Sequence, residues 1–339
     1  MLVAFASLPA LAQPSGALLA GMYVPGYVEQ TRNLRQVETW TGRPLSLAGT
    51  FIDLTDHANL GHRLESAWAA RTTPFVNVET TADLGAVARG DLDGAIERFA
   101  RVTRSWLEMG GGRSLIVAPF QEMNLAETPW GCRPEAFREA YRRFVTIFED
   151  AGADARIAWA FAPNGWTHVA CGGSSEPYFP GRDRVDLVAI SAYNFGPYSW
   201  DGRPEGPSEV YEPWLEDVRS YASGLPILIG QTGTIAAGGD RARWLREMVG
   251  YLHAQPDVLG FIYFNMRSRS RSGAVLDWRV FDHGDPQDPG AAPGLAAALA
   301  SSAVGERWPL DWFDDGAVRP RRVDPGSACV GDLGGREPC

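Results

Sequence analysis

Gln121, Glu122 and Asn124 crowd the end of the apolar run Leu115-Ile-Val-Ala-Pro-Phe120. Such a run reads as a strand buried on both faces, so a carboxylate at its end sits at the strand's C-terminal mouth, placed to give or take a proton. Similar groups follow the other apolar runs: Tyr27, Asp53 and Asp56, Glu79, Asn164 and Trp166, Tyr193 and Asn194, Gln231, and Asn265, Asp277 and Trp278, with Trp130 near the first. This set of carboxylates, amides and aromatics contains no metal-type His cluster and no Cys nucleophile, so it points away from metal and thiol chemistry. Rings beside amides suit a sugar, whose C–H faces stack and whose hydroxyls both donate and accept. Cleaving a glycosidic bond usually takes two carboxyl groups, and Glu122 is the candidate proton donor.

The elements that must position these residues alternate along the chain. Strand candidates are Gly21–Gly26, Thr50–Leu54, Pro74–Glu79, the run from Leu115, Arg156–Phe161, Val185–Ile190, Pro226–Gly230 and Val258–Phe264. Helical patterns cover Gln30–Trp40, Asn59–Arg71, Asp91–Met109, Pro134–Asp150, a segment capped by Asp240, and Ala291–Ser302. Pro134 suits a first helical turn, and Phe137, Tyr141, Phe144 and Phe148 recur at helical spacing, which reads as core. Strand-then-helix units repeated eight times predict an α/β fold, a single-domain (β/α)8 TIM barrel over 21–305. A doubly wound sheet is the alternative, but the first strand is not followed by the Gly-rich turn it would normally carry.

Composition narrows the chemistry further. All 31 basic residues are Arg, so Schiff-base, pyridoxal-phosphate and P-loop chemistry, which need a lysine amine, fall away. A formal charge of −10 argues against nucleic acid or an anionic membrane as partner and favours a neutral ligand, with no cofactor implied. Residues 1–12 end in Leu-Pro-Ala-Leu-Ala and resemble the apolar core and cleavage site of an export signal, which predicts a secreted or periplasmic protein. The four cysteines agree with an oxidising setting. Cys132 and Cys171 follow different strand ends and are placed to join two loops on one face; Cys329 and Cys339 are placed to close a Gly/Pro-rich tail over 306–339, expected to be irregular. Sequence proves neither pairing.

The ordered motifs resemble glycoside hydrolase family 26, clan A barrels best known as β-mannanases. Gln121-Glu-Met-Asn124 resembles the family's His-Glu-Met-Asn, whose Glu is the acid/base, and Trp130-Gly131 the Trp-Gly that follows it. Ala162-Pro-Asn164, Tyr178-Phe-Pro-Gly181 with Val185-Asp186, Ile190 to Asn194, and Asp277-Trp278-Arg279 are similar to later motifs, so the resemblance spans roughly Gly21 to Trp278. It implies that Glu122 is the acid/base and that position 231, contacted by Tyr193, is the nucleophile's place. The strand-end residues themselves offer sugar contacts from Glu79, Gln121, Asn124, Trp130, Asn164, Trp166, Tyr193, Asp277 and Trp278, and their donor types imply no metal. The chain departs from the pattern at Gln121, where His is usual, and at Gln231, where the family has its nucleophilic Glu. An amide is a poor nucleophile, so three accounts stand open: a hydrolase with reduced or altered activity on a β-linked polysaccharide such as mannan, a non-catalytic carbohydrate-binding pseudoenzyme, or substrate-assisted hydrolysis.

Overall fold

The computed structural model describes residues 17–305 apart from 27, 271–272, 285–289, 291 and 302. Tyr27, the 1–12 leader, the 306–339 tail and the Cys329–Cys339 pairing lie outside the described residues. Eight parallel strands close into one barrel in sequence order: β1 (Leu19–Tyr23), β2 (Leu47–Asp53), β3 (Thr73–Glu79), β4 (Leu115–Pro119), β5 (Ile157–Phe161), β6 (Leu187–Asn194), β7 (Ile227–Thr234) and β8 (Val258–Phe264). The helices are α1 (Gln30–Thr41), α2 (His57–Ala69), α3 (Leu84–Arg89), α4 (Asp93–Leu107), α5 (Pro134–Asp150), α6 (Pro207–Ala222), α7 (Arg241–His253) and α8 (Ala292–Leu299). A hairpin of β9 (Arg267–Arg269) and β10 (Val275–Asp277) follows β8.

Alternation along each strand divides the core in two. On β5, Ile157, Trp159 and Phe161 face the helices, where Trp159 and Phe161 meet the aromatic stripe of α5, with Phe148 at 5.2 Å and Phe144 at 6.0 Å from the Trp159 ring. The intervening Ala158 and Ala160 face the barrel axis. These small residues leave room for Tyr23 of β1 and Phe75 of β3 in the same inner cluster, a large-to-small fit. Gly49 is part of that fit, since a Cβ there would lie 2.2 Å from the Tyr23 ring. Near the top of the axis the Tyr23 hydroxyl donates to the Gly230 carbonyl at 3.1 Å and accepts from Asn77 Nδ2 at 2.8 Å.

Three differences from the sequence expectation have physical causes. The unit after β3 holds two helices, because Gly90, at φ 94°, ends α3 before α4 begins. The unit after β5 has no α-helix among the described residues, only short 3₁₀ turns at Val169–Cys171 and Glu176–Tyr178, so the repeat is not uniform. Helix α6 carries Pro213 in its interior, which masks it from a reading by helical spacing. The Asp240 cap forms as expected, its carboxylate accepting from Arg243 N at 2.9 Å. No helix of the described residues is long and apolar enough to cross a membrane.

Candidate active site

The chain leaves β4 through an unusual turn. Phe120 and Glu122 both have φ near 55°, in the left-handed region that non-glycine residues rarely occupy. The first of these residues breaks the strand's alternation: Phe120 swings outward against Phe144 of α5 instead of into the barrel, and Gln121 and Glu122 are delivered to the mouth. Strain of this kind costs on the order of 1–3 kcal/mol per residue and persists only where its surroundings over-determine it. Here they do: Phe120 N donates to Val78 O, Glu122 N to Ala162 O, and the Trp130 indole to Gln121 O at 2.7 Å.

Each polar side chain of this turn is held. Glu122 Oε1 accepts from Asn164 Nδ2 at 3.0 Å, and the Ser191 hydroxyl also bonds the carboxylate. Burial nevertheless dominates and raises the Glu122 pKa above the ordinary carboxylate value, so the acid keeps its proton to higher pH. Gln121 Nε2 donates to Glu79 Oε1 at 3.0 Å. Glu79 is also raised, first by burial and then by the neighbouring Asp53 and Glu122 carboxylates. Asn124, wholly buried, donates to Asn164 O and Thr167 Oγ1 and accepts from Asn164 N, locking the loops after β4 and β5 together. The Cys132–Cys171 disulfide joins the same two loops, as the strand-end placement allowed.

Across the mouth, position 231 is delivered by a different device. Leu228 faces the axis and Ile229 the helices, so unbroken alternation would bring Gly230 inward and turn Gln231 away from the mouth. The register shifts on both sides of β7 at this point: Ile190 pairs with Ile229 but Ser191 with Gln231, and Ile229 pairs with Phe261 but Thr232 with Tyr263. The extra residue is a bulge, which re-aims the side chain that follows. Gly230 allows it, since a Cβ there would press within 3.0 Å of Ala189. Gln231 is thus brought beside Ser191, a Glu122 partner, and its Oε1 accepts from the Tyr193 hydroxyl at 3.0 Å. Tyr193 titrates far above its usual value, through burial first and the Glu122 charge second, which ties the two sides of the mouth together electrostatically.

Other candidates take supporting positions. Trp278, expected as a stacking face, is 2% exposed; it packs on Tyr193 at 4.8 Å and Phe195 at 5.1 Å, with its indole donating to Ser268 Oγ. Trp130 is likewise buried, bracing Gln121, whereas Trp166 stays 46% exposed on the loop after β5. The Asp277 carboxylate is held by Arg279 and Arg267, bonds that lower its pKa. Asn194 accepts from Gly196 N and Glu205 N, and Asn265 from Val280 N, so both fasten loops rather than face the mouth. Asp53 accepts from Thr55 N, and Asp56 bonds Asn59 beside Arg63. Ser191 was missed by sequence reasoning. Its signal was present, because it shares the inward phase of Leu187 and Ala189 on an otherwise apolar strand. No group of three or more His, Cys, Asp or Glu among the described residues is arranged to hold a metal.

This is a (β/α)8 barrel with the fold of glycoside hydrolase family 26 mannanases. A Cellulomonas fimi endo-β-1,4-mannanase double mutant superposes with a TM-score of 0.63 at 15% identity, over 87% of this chain and 74% of that one. A family 26 β-mannanase from Bacteroides ovatus gives 0.61 at 14% over 88% and 94%, and a Bacillus subtilis mannanase 0.57 at 16% over 87% and 89%. In sequence the chain is 24% identical over 249 residues to Endoglucanase H of Acetivibrio thermocellus, covering 70% of this chain and 25% of that protein. The chain therefore spans about a quarter of the length of that curated relative. No family model matches it.

Proposed function

We propose that the chain is an exported glycoside hydrolase-type protein acting on a β-linked polysaccharide, mannan the first candidate, with Glu122 as proton donor. The observation that carries this reading is the Glu122 carboxyl itself: partly buried, raised in pKa, and fixed through Oε1 by Asn164 at the mouth of the barrel. A carboxyl kept protonated by its surroundings can protonate a glycosidic oxygen as the bond breaks. The likeness to mannanases and to an endoglucanase supports the substrate class. The Cys132–Cys171 disulfide supports an oxidising compartment.

Gln231 stands in the nucleophile's place. Tyr193 occupies its Oε1, which leaves Nε2 as a donor toward a bound sugar. An amide there positions substrate without forming the glycosyl ester, so turnover is reduced or altered. That same observation favours a second reading, a carbohydrate-binding protein without turnover. Substrate-assisted attack by a 2-acetamido group is a narrower form of the first. An endo-assay on mannans, glucans and chitin oligomers, with the chain as it stands and with Gln231→Glu, separates these. Cleavage rising sharply in Gln231→Glu is the expected result. Binding without cleavage by either form selects the recognition reading, and failure of both forms to bind any sugar refutes the carbohydrate assignment.

A further inference from the structure

We propose that the loop following β6 is an aromatic platform that extends the sugar cleft and stacks further units of the same polysaccharide. The proposal rests on the glycan reading of the candidate site. Trp200 is 94% exposed and Tyr198 52%, two residues apart on one short loop, while Phe195 at its root is 36% exposed. Two large rings exposed on one short loop are apolar surface of the kind that marks an interaction site, and a loose loop does not account for them. Asn194 Oδ1 accepts from Gly196 N and Glu205 N, closing the loop at both ends. Inside it, Ser199 Oγ lies 2.7 Å from Asp201 Oδ1 and 2.8 Å from Arg203 O, the two acceptors sharing its one proton, and Arg203 bridges Asp201 and Glu209. The loop is braced by its own polar groups and still presents its rings to solvent, so little conformational entropy remains to be lost on binding.

The occupant follows from continuity and chemistry. Phe195 lies edge-on to Trp278 at 5.1 Å and 5.9 Å from Tyr193, and Tyr193 donates to Gln231. The platform therefore begins one ring away from the candidate active site. Its rings are separated by polar residues, Tyr198-Ser-Trp-Asp201, instead of merging into one greasy face. That spacing suits a chain whose units offer C–H faces framed by hydroxyls, and the acidic balance of the protein opposes an anionic polymer or membrane surface.

The test is an affinity ladder, measured by calorimetry on oligosaccharides of two to six units and by affinity electrophoresis on the polymer, in the Glu122→Gln form to prevent cleavage. Affinity should climb with chain length, and Trp200→Ala with Tyr198→Ala should flatten that climb by about tenfold, the usual worth of a removed aromatic anchor. An unaltered climb in both variants overturns the proposal, as does sedimentation showing that Trp200→Ala dissolves a dimer, which would assign the rings to a second copy. Absence of any saccharide binding before substitution removes the glycan reading itself, a separate failure from an unaltered ladder.

Discussion

The ends of β4 and β7 face one another across the barrel mouth and solve the same problem by different means. At β4, two left-handed residues carry Glu122 inward, and Asn164 and Ser191 fix its carboxyl. At β7, a bulge at Gly230 carries Gln231 inward, and Tyr193 fixes its amide oxygen. Both devices cost backbone regularity, yet only one presents an ionisable group. The β7 bulge and the Tyr193 hydroxyl therefore hold in place a side chain that cannot ionise.

The largest effect that sharpens this comparison is restoration of the charge. Gln231→Glu should raise hydrolysis of the cognate polysaccharide by on the order of 10⁴-fold, about 5 kcal/mol in the barrier, read from initial rates of reducing-end release. If the bulge only packs the mouth, the rate will stay flat. Removing the other carboxyl should have the next largest effect. Glu122→Gln in the Gln231→Glu background should lower the rate by about 10³-fold on substrates with poor leaving groups and less on activated aryl glycosides, the signature of a missing proton donor.

Glu122→Gln should also alter stability in a pH-dependent way. Because burial raises the folded-state pKa, the native protein holds this proton more tightly than the unfolded chain. Its contribution is present below the unfolded value of about 4.3 and is lost as pH rises through the raised folded value. Denaturation midpoints of Glu122→Gln should therefore exceed those of the parent at neutral pH and converge with them at acid pH; a constant offset would exclude the titration.

Smaller still is the effect of the covalent tie between the two loops on the Glu122 side. Cys132→Ser with Cys171→Ser should cost about 2–4 kcal/mol in urea unfolding, and no comparable tie is described at the β7 end. Asn164→Ala should lower the rate about tenfold by freeing the carboxyl. It also removes a hydrogen bond that favours the ionised form, so the alkaline limb of the pH–rate profile should move upward. A downward movement would mean that Asn164 stabilises the neutral acid.

How much of this was legible in the residues depends on what placed them. The barrel was, because apolar runs such as Leu115–Pro119 and Val258–Phe264 and the aromatic face of α5 record burial directly in residue type. The position of Glu122 just past β4 was legible too, whereas Gln231, expected to follow its strand, lies within β7, which runs on to Thr234. The means of aiming them was not: positive φ at Phe120 and a one-residue bulge at Gly230 depend on packing against α5 and β6, which no local pattern encodes. The burial of Trp130 and Trp278 was not legible either, since a ring near a strand end looks alike in sequence whether it is open to solvent or, as here, packed against Gln121 or Tyr193. Strict repetition also misleads around α6 and the helix-free connection after β5, where proline and loop packing override the pattern.

The central claim, that position 231 is aimed as a nucleophile opposite the Glu122 acid, is tested most directly by covalent trapping. The Gln231→Glu form would be treated with 2-deoxy-2-fluoro-β-glycosyl fluorides of the manno and gluco series and its peptides sequenced by mass spectrometry. The account predicts one sugar attached to the peptide carrying position 231, with activity lost in step. An active Gln231→Glu form that carries its label elsewhere, on Glu79 or Asp53 for instance, would contradict it.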